Sequence, residues 1–223
     1  MKTCKIAIFL IAFGTPLVAQ WLEHPTPGIP RTADGKPNLT APAPRTTDGK
    51  PDLTGLWNMG SDVADLKAGE VQPWVQALVQ QRAEDFSKDD PRYLCLPEGP
   101  TYSTRGGIHR ILQTPAMIVI LNEDLTYRQI FMDGRALETA PNPSWMGYSV
   151  GHWDGDTLVV ESSGFNDRTW LDSRGYPHTE ALRMTERYRR ASFGRLDIEV
   201  TFQDPAAYCY WGKKQRRRWT DRN

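Results

Sequence analysis

The sequence contains little cysteine, carries no net charge and has no long apolar segment beyond its first residues. Equal numbers of basic and acidic residues, 27 of each, give no argument for binding to nucleic acid or to a membrane surface. No segment after residue 18 approaches the length that a membrane-spanning helix requires, so we predict no integral membrane segment. Gly-x-Ser-x-Gly, nucleotide-loop, Cys-x-x-Cys and zincin motifs are absent, and the sequence therefore predicts no cofactor.

Residues 1–19 have the layout of a cleaved export signal. Lys2 and Lys5 form a short basic start, residues 6–18 form an apolar run, and Ala19 is a small residue suited to the cleavage position. We therefore expect the mature chain to begin near Gln20 and to be periplasmic or secreted.

The mature chain retains two cysteines, Cys95 and Cys209. In an oxidising compartment two cysteines can form a disulfide, but two unconnected thiols fit the sequence equally well. The roughly 200 residues that remain after cleavage have the length of one domain with an extended arm.

Residues 20–54 are rich in proline and contain a short repeat. The segment Pro30–Thr40, PRTADGKPNLT, recurs as Pro44–Thr54, PRTTDGKPDLT. Asp-Gly favours a turn and Lys-Pro favours an extended backbone, whereas two copies are too few for a solenoid. We predict an extended arm that lies on the surface of the domain or, alternatively, engages an envelope partner.

Residues 55–208 are predicted to form the globular domain, in which one helix is followed by strands. The helix begins near Pro73, which suits a first turn, and apolar residues recur at helical spacing as far as Phe86. After residue 101 the pattern is that of strands. Asp154-Gly155 is a strong hairpin signal, because such a turn needs positive φ at both central positions.

The strand count predicts a mainly β fold: an antiparallel up-and-down barrel of about eight strands with one helix and an extended N-terminal arm. A closed barrel removes exposed sheet edges and can hold a small ligand. A β-sandwich is the structural alternative, but inward polar residues favour a barrel with a partly polar cavity.

The segment Glu180–Tyr188 carries an unusual set of polar residues for a strand. Successive side chains point to opposite faces, so a face with Arg183 and Arg187 should meet water while the other face points inward. The inward face carries Glu180, Leu182, Met184, Glu186 and Tyr188, with His178 in the same parity. Buried carboxylates cost free energy unless they are paired, which makes this inward cluster a candidate site.

The connection from Gly164 to Glu180 is longer than a hairpin needs, and long ordered loops at a barrel mouth commonly carry function. His178 and Glu180 lie two residues apart, so on a strand they share one face. Glu180 can then orient the imidazole while His178 acts as general acid or base. The alternative is a structural lid in which Trp170 caps the barrel end, Asp172 makes a turn and His178 bonds to the backbone.

A small-molecule pocket requires aromatic walls and a few convergent polar groups. The candidate wall residues are Tyr148, Trp153, Trp170, Met184 and Tyr188, and the candidate polar anchors are His178, Glu180 and Glu186. A His₃ metal site made by His109, His152 and His178 is an alternative, although the spacing of these histidines fits no local metal-binding signature.

Gly55-Leu-Trp57, at the start of the first strand, resembles the Gly-x-Trp motif of lipocalins and related calycin barrels. In that superfamily the tryptophan packs at the closed end of the barrel beneath an arginine from a late strand. The resemblance implies a calycin-like barrel in which Arg187, Arg189 or Arg190 takes this role.

Longer motifs cover most of residues 30–208. Beside the arm repeat they include Cys95-Leu-Pro97, Gln113-Thr-Pro115, RQIFMDGR at 128–135, WDGDTLVVE at 153–161, Gly164-Phe-Asn166 and PHTE at 177–180. In these motifs the chain is similar to a group of uncharacterised exported bacterial proteins, which implies an architecture and a location but no chemistry. The end of the chain departs from that group, and residues 209–223 are interpreted as a basic, solvated tail of truncated or aberrant origin.

Three functions follow from these observations. The first is an exported calycin-like barrel that binds a small, partly apolar ligand in its interior. The second is a cofactor-independent isomerase, lyase or hydrolase on the same scaffold that uses His178 and Glu180. The third is a non-catalytic envelope protein whose N-terminal arm engages a partner. The ligand-binding barrel is the leading interpretation.

Overall fold

The computed structural model describes residues 28–59, 70–100 and 107–209, together with the backbone of residues 213–221. The strands are β1 (Gly55–Met59), β2 (Ile108–Gln113), β3 (Met117–Asn122), β4 (Tyr127–Phe131), β5 (Tyr148–Asp154), β6 (Thr157–Ser163), β7 (Arg183–Ser192), β8 (Arg195–Gln203) and β9 (Lys213–Asp221), and the helix α1 spans Pro73–Glu84. Within these ranges no helix has the length and apolar character needed to cross a membrane.

The strands pair in sequence order into a closed barrel, in which β9 joins β8 to β1. This confirms the predicted mainly β barrel with one helix and an N-terminal arm. One junction departs from the up-and-down pattern: β4 and β5 run parallel and share two residue pairs, Ile130 with Ser149 and Phe131 with Val150. A parallel pair needs a long crossover instead of a hairpin, and residues 132–147 supply it.

One local prediction in this sheet is confirmed and another is wrong by one residue. A hairpin joins β5 to β6 as predicted, but its two turn residues are Gly155 and Asp156, because Asp154 still belongs to β5 and pairs with Thr157. Of these two turn residues, Gly155 alone has a positive φ, of 58°. Along β7 the burial alternates, so that Met184, Glu186 and Tyr188 face the interior, as predicted.

The predicted inward position of Glu180 is wrong. Strand β7 begins at Arg183, and Glu180 lies exposed in the turn that precedes the strand. The buried carboxylate of Asp204 explains this turn, because it accepts hydrogen bonds from the backbone N–H of Thr179 at 2.6 Å and from its hydroxyl at 2.9 Å. The backbone N–H of Leu182 then donates to the carbonyl of Thr179, so the chain reverses before the strand begins.

The interpretation of residues 209–223 as a solvated tail is also wrong for residues 213–221. The backbone of β9 pairs with β8 from Lys213 to Thr220, and with β1 from Trp219 to Asp221. Open edges on β8 and β1 would leave rows of backbone N–H and C=O groups unpaired, and β9 satisfies both edges. Cys95 and Cys209 are both exposed free thiols, so no disulfide joins them.

Each copy of the arm repeat folds into a small hairpin with the same hydrogen bonds. The backbone N–H of Thr32 donates to the carbonyl of Lys36, and that of Thr46 donates to Lys50, at 2.9 Å in both copies. The arm lies on the barrel, because the carbonyl of Leu39 accepts hydrogen bonds from the backbone of Gly194 and from the hydroxyl of Ser192. The described part of the arm therefore follows the surface alternative.

Helix α1 buries less of its predicted apolar stripe than expected. Val75 is fully buried and Val79 packs against the core, but Trp74 is 43% exposed. Phe86 lies beyond the end of the helix, has a positive φ and is 90% exposed, so its predicted place on the packing face is wrong. Val75 and Val79 thus make the apolar contacts of the helix with the core, and Arg82 in its last turn contacts Trp170.

One end of the barrel is closed by Trp57 and Arg190. Trp57 is fully buried, and its indole N–H donates to the carbonyl of Leu53 at 3.0 Å. The guanidinium of Arg190 lies 4.8 Å from the centre of the Trp57 ring. It also donates to the carbonyls of Thr54 and Phe193 at 3.2 and 2.6 Å. Of the three candidate arginines, Arg190 is therefore the one that covers the tryptophan.

We expect Arg190→Met to lower the free energy of unfolding by about 2–4 kcal/mol, because it leaves several carbonyls of the closed end without a donor. Arg189→Met, at the exposed neighbouring position, is the matched control and should change stability by less than about 0.5 kcal/mol. Urea denaturation of both variants measures the difference. Equal stability of the two variants would show that the closed end does not depend on this arginine.

Candidate functional site

A buried polar cluster lies inside the barrel where β4, β5, β6 and β7 come together. Its members are Arg128, Ser149, Ser162, Glu186 and Tyr188, each at most 3% exposed. Arg128 Nε donates to Ser149 Oγ at 2.9 Å, and Arg128 Nη2 donates to Ser162 Oγ at 2.6 Å. The Tyr188 hydroxyl donates to Glu186 Oε1 at 2.9 Å. The cluster thus joins residues that are far apart in sequence but share the inward face of adjacent strands.

The cluster contains a buried ion pair. Glu186 Oε2 lies 2.5 Å from Arg128 Nη2, so the two side chains form an ion pair inside the barrel. Burial is the largest single influence and would lower the pKa of Arg128, but the electrostatic and hydrogen-bonding effects of Glu186 and Tyr188 together exceed it, so the pKa is raised. The guanidinium is therefore charged at any physiological pH, and Glu186 supplies the compensating charge.

Not all donors of this cluster are used. Arg128 Nη1 is buried and has no hydrogen-bond partner among the described residues. The two serine hydroxyls lie 2.9 Å apart, and both accept from Arg128. One serine can donate to the other, which leaves one hydroxyl hydrogen unassigned. Buried donors of this kind are rare in proteins and call for an explanation.

A cleft in the barrel wall reaches this cluster. It has a volume of about 370 Å³, and its described lining includes Arg128 and Ser149 together with Tyr127, Phe131, Trp145, Met146 and Tyr148. The cleft exists because β4 and β5 share two residue pairs near the end of β4, so the start of β4 has no neighbouring strand on that side.

The segment that precedes β5 is held away from β4 by another loop. Ser144 donates its backbone N–H to the carbonyl of Gly164 and accepts one from Asn166. At Gly147, with a φ of 63°, a Cβ atom would lie 2.5 Å from the Phe165 ring, so glycine is required for this close approach. The loop therefore fixes the far wall of the cleft.

A second cleft, of about 440 Å³, lies beneath the second arm hairpin. Asp48 of the arm and Ile118, Met132, Gly151 and Trp153 of the barrel are among its lining residues. It is the larger of the two clefts but it does not reach the Arg128 cluster, because Ile130, which is fully buried, lies between them on β4. The first cleft is therefore the better candidate for a specific site.

His178 is buried, but Glu180 does not orient it. Its Nε2 lies 2.6 Å from the Thr169 hydroxyl, and its Nδ1 lies 3.1 Å from the carbonyl of Thr179. Glu180 is exposed and makes no hydrogen bond or ion pair with other residues in the described part of the chain. The expected catalytic geometry of His178 and Glu180 is therefore not formed.

The connection between Gly164 and Glu180 instead has the features of the lid. Trp170 is 2% exposed and lies under the guanidinium of Arg82 at 4.3 Å. Asp172 is buried and accepts a hydrogen bond from the backbone N–H of Arg174, which makes a turn. His178 bonds to the backbone carbonyl of Thr179. These contacts explain why the polar side chains of this connection are buried, and the explanation requires no catalytic role for them.

The three histidines of the metal hypothesis do not converge. His109 is buried, and its Nδ1 lies 3.0 Å from Asn122 Oδ1. His152 lies exposed on the outer face of β5. No group of three potential metal ligands occurs in ranges 28–59, 70–100 and 107–209. The His₃ hypothesis is therefore wrong for these residues.

The predicted ligand-binding residues are divided among five places. Tyr148 lines the first cleft, Trp153 lines the second, and Trp170 belongs to the lid. Met184 lies in the packed core, Glu186 belongs to the polar cluster, and Tyr188 packs in the core while its hydroxyl belongs to the polar cluster. Sequence reasoning missed Arg128, Ser149 and Ser162 as site residues. Their inward parity on alternating strands was the available signal.

No protein-family model, no curated protein and no solved structure matches this chain. Function is therefore inferred from the geometry and chemistry of the clefts and the buried cluster.

We expect Glu186→Gln and Arg128→Met each to lower the free energy of unfolding by about 3–5 kcal/mol, because each leaves an uncompensated charge or unpaired polar groups inside the barrel. The double variant should lose less than the sum of the two single losses, with a coupling of about 2 kcal/mol. Urea denaturation of the three variants completes the cycle. Additive losses would mean that the two charges do not stabilise each other.

Burial lowers the pKa of His178, against the opposing effects of the Thr179 carbonyl and of Asp204. The folded state therefore binds its proton less readily than the unfolded state, and stability falls as pH drops below the unfolded pKa of about 6.5. We expect His178→Gln to lose less stability than the wild type between about pH 7.5 and about pH 5.5. His152→Gln, which removes an exposed imidazole, should keep the wild-type pH dependence in the same denaturation experiment.

Proposed function

We propose that this protein is an exported, calycin-like barrel that binds a small, partly apolar molecule in the cleft between β4 and β5. The observation that carries the proposal is the contact between this cleft and Arg128, whose buried Nη1 has no hydrogen-bond partner among the described residues. A ligand atom in the cleft would supply the missing acceptor and would recover the cost of a buried, unused donor.

The size and lining of the cleft support a small molecule as the ligand. A volume of about 370 Å³ lies within the range of about 300–1,000 Å³ that is usual for ligand pockets. Trp145, Met146 and Tyr148 provide apolar surface at the wall, while Arg128 and Ser149 provide the polar end. This combination of apolar walls and few polar groups is typical of sites for partly apolar ligands.

The proposal moves the ligand from the centre of the barrel to its wall. Met184, Tyr188 and Ile198 are between 1% and 3% exposed and belong to the packed core of the barrel. A ligand at the level of these side chains would have to displace them. In the wall cleft, a ligand can reach the same polar cluster from the side without repacking the core.

Export to the periplasm or the medium is part of the proposal. It is supported by the basic start and the apolar run within residues 1–19, which lie outside the described residues. The membership in a group of exported bacterial proteins rests on the sequence motifs given above and is likewise part of the proposal.

The other two hypotheses have less support. An enzyme that uses His178 and Glu180 would need the carboxylate beside the imidazole. The hydrogen-bond partners of the two ring nitrogens are instead the Thr169 hydroxyl and the Thr179 carbonyl. A partner for the arm would need an available surface, whereas the second hairpin is held to the barrel by two hydrogen bonds between Arg45 and Asp156, at 2.9 and 2.6 Å. No contact in the described residues favours either role.

A thermal-shift screen of small aromatic compounds, followed by calorimetry of the stabilising compounds, tests the proposal. Tyr148→Ala removes part of the cleft wall and should weaken binding by about fivefold to tenfold, or about 1–1.4 kcal/mol. Tyr93→Ala changes a residue that is 66% exposed and lies outside both clefts, and it should leave the affinity unchanged.

Trp153→Phe separates the two clefts. Because Trp153 lines the second cleft and not the first, this variant should bind the ligand as the wild type does. Binding that is weakened by Trp153→Phe but not by Tyr148→Ala would assign the ligand to the second cleft and overturn the proposal. A screen without any stabilising compound would count against a ligand-binding function altogether.

A further inference from the structure

The two side chains of the buried cluster that belong to the cleft lining, Arg128 and Ser149, offer donors to a ligand, and the oxygen of Ser149 already accepts within the cluster. Arg128 Nη1 carries two N–H groups without a partner among the described residues. Ser149 Oγ already accepts from Arg128 Nε, and it can receive the hydrogen of Ser162 at 2.9 Å. In that arrangement the hydroxyl hydrogen of Ser149, which lines the cleft, is free to donate to a ligand.

The charge at this end of the cleft is already balanced. Arg128 is the one ionic residue in the described lining of the cleft, and Glu186 pairs with it at 2.5 Å. A carboxylate ligand on Arg128 Nη1 would add a second negative charge beside Glu186, where both are removed from water. Like charges that are buried together are strongly unfavourable, and a buried ion that lacks its own counter-charge costs several kcal/mol in general.

We infer that the ligand presents a neutral hydrogen-bond acceptor of the carbonyl type to Arg128 Nη1 and Ser149 Oγ. This inference rests on the proposed function and names the chemical class of its ligand. A carbonyl oxygen has two lone pairs, so it can accept from both donors at once. It brings no charge that the Arg128–Glu186 pair would have to accommodate.

The rest of the ligand is a flat, apolar body, most simply an aryl group. Two of the rings in the cleft lining are held in place by cations: Arg135 lies 3.8 Å from the centre of the Phe131 ring, and Arg168 lies 5.0 Å from the centre of the Trp145 ring. Arg135 is itself paired with Asp133 at 2.6 Å. Rings that are fixed in this way present flat surfaces against which another ring can pack in an offset or edge-to-face arrangement.

Matched probes test the inference on the intact protein. Each set shares one ring system, phenyl or naphthyl, and differs in one group: methyl ketone, primary amide, carboxylate, or an ethyl group without any acceptor. We expect the ketone and the amide to bind at least tenfold more tightly than the carboxylate at neutral pH and low salt, as measured by calorimetry. The ethyl compound should bind less tightly than the ketone.

Ser149→Ala tests whether the carbonyl group is at the expected place. It should weaken the binding of the ketone by about fivefold and leave the binding of the ethyl compound unchanged. Ser173→Ala, at an exposed position outside the cleft lining, is the control and should affect neither probe. A uniform loss for both probes would point to a structural effect of Ser149 and would overturn its assignment as a donor to the ligand.

The outcomes also separate this inference from the proposed function. If the carboxylate binds as tightly as the ketone or more tightly, and Tyr148→Ala weakens it, the cleft is a ligand site but the inferred ligand class is wrong. If no probe in either set binds, the inference is overturned. If the wider aromatic screen also finds no compound that binds in the cleft, the proposed function is overturned as well as the inference.

Discussion

The parallel pairing of β4 with β5 is the constraint on which the candidate site depends. An antiparallel hairpin would have placed the two strands in register along their whole length and closed the wall of the barrel. The crossover of residues 132–147 instead returns the chain to the same end of the sheet, and two residue pairs join the strands. The start of β4, with Arg128, therefore borders a gap. The inward-facing side chain of Arg128 lies beside this gap and is 3% exposed.

The buried ion pair is a costly way to build a barrel core. Replacing such a pair by apolar residues of similar volume is often neutral or stabilising, and the surrounding interior shows that the fold has apolar alternatives. Ile130 on β4 and Val160 on β6, which are neighbours of the cluster, are fully buried apolar residues. The cluster also leaves donors unused beside a cleft. Stability gives no reason for this arrangement, whereas the proposed binding of a polar ligand group would give one.

The alternating pattern of the strands made much of the barrel predictable from the sequence. The β5–β6 hairpin, which turns at Gly155 one residue later than predicted, depends on local backbone preference, and the inward face of β7 depends on side-chain parity. Both signals can be read along a single segment. The prediction fails at Glu180 because of a tertiary contact. Asp204, which lies 25 residues after Thr179 in the sequence, binds Thr179 and turns the chain. The cluster was missed for a similar reason: Arg128, Ser149 and Ser162 acquire meaning when strands from separate hairpins become neighbours.

Residues 213–221 were misinterpreted because composition was given more weight than backbone pairing. A run of Lys and Arg is typical of a solvated segment, and no apolar alternation marks it as a core strand. The backbone of β8 and that of β1 nevertheless both need a partner at the edge. Strand β9 supplies that partner along one side for eight residue pairs. Whether a basic segment forms a strand is thus decided by the edges available to it as well as by its own propensity.

The arm repeat separates what local sequence decides from what the rest of the fold decides. Both copies place an arginine at the same hairpin position, and in both the guanidinium donates to a glycine carbonyl, Arg31 to Gly35 at 2.6 Å and Arg45 to Gly49 at 2.7 Å. Arg45 alone of the two also binds Asp156, a residue of the β5–β6 turn. The hairpin is therefore a local structure that forms twice, while its docking depends on a carboxylate from the barrel. Through that docking the second copy forms one wall of the larger cleft, so the arm is a structural part of the barrel surface.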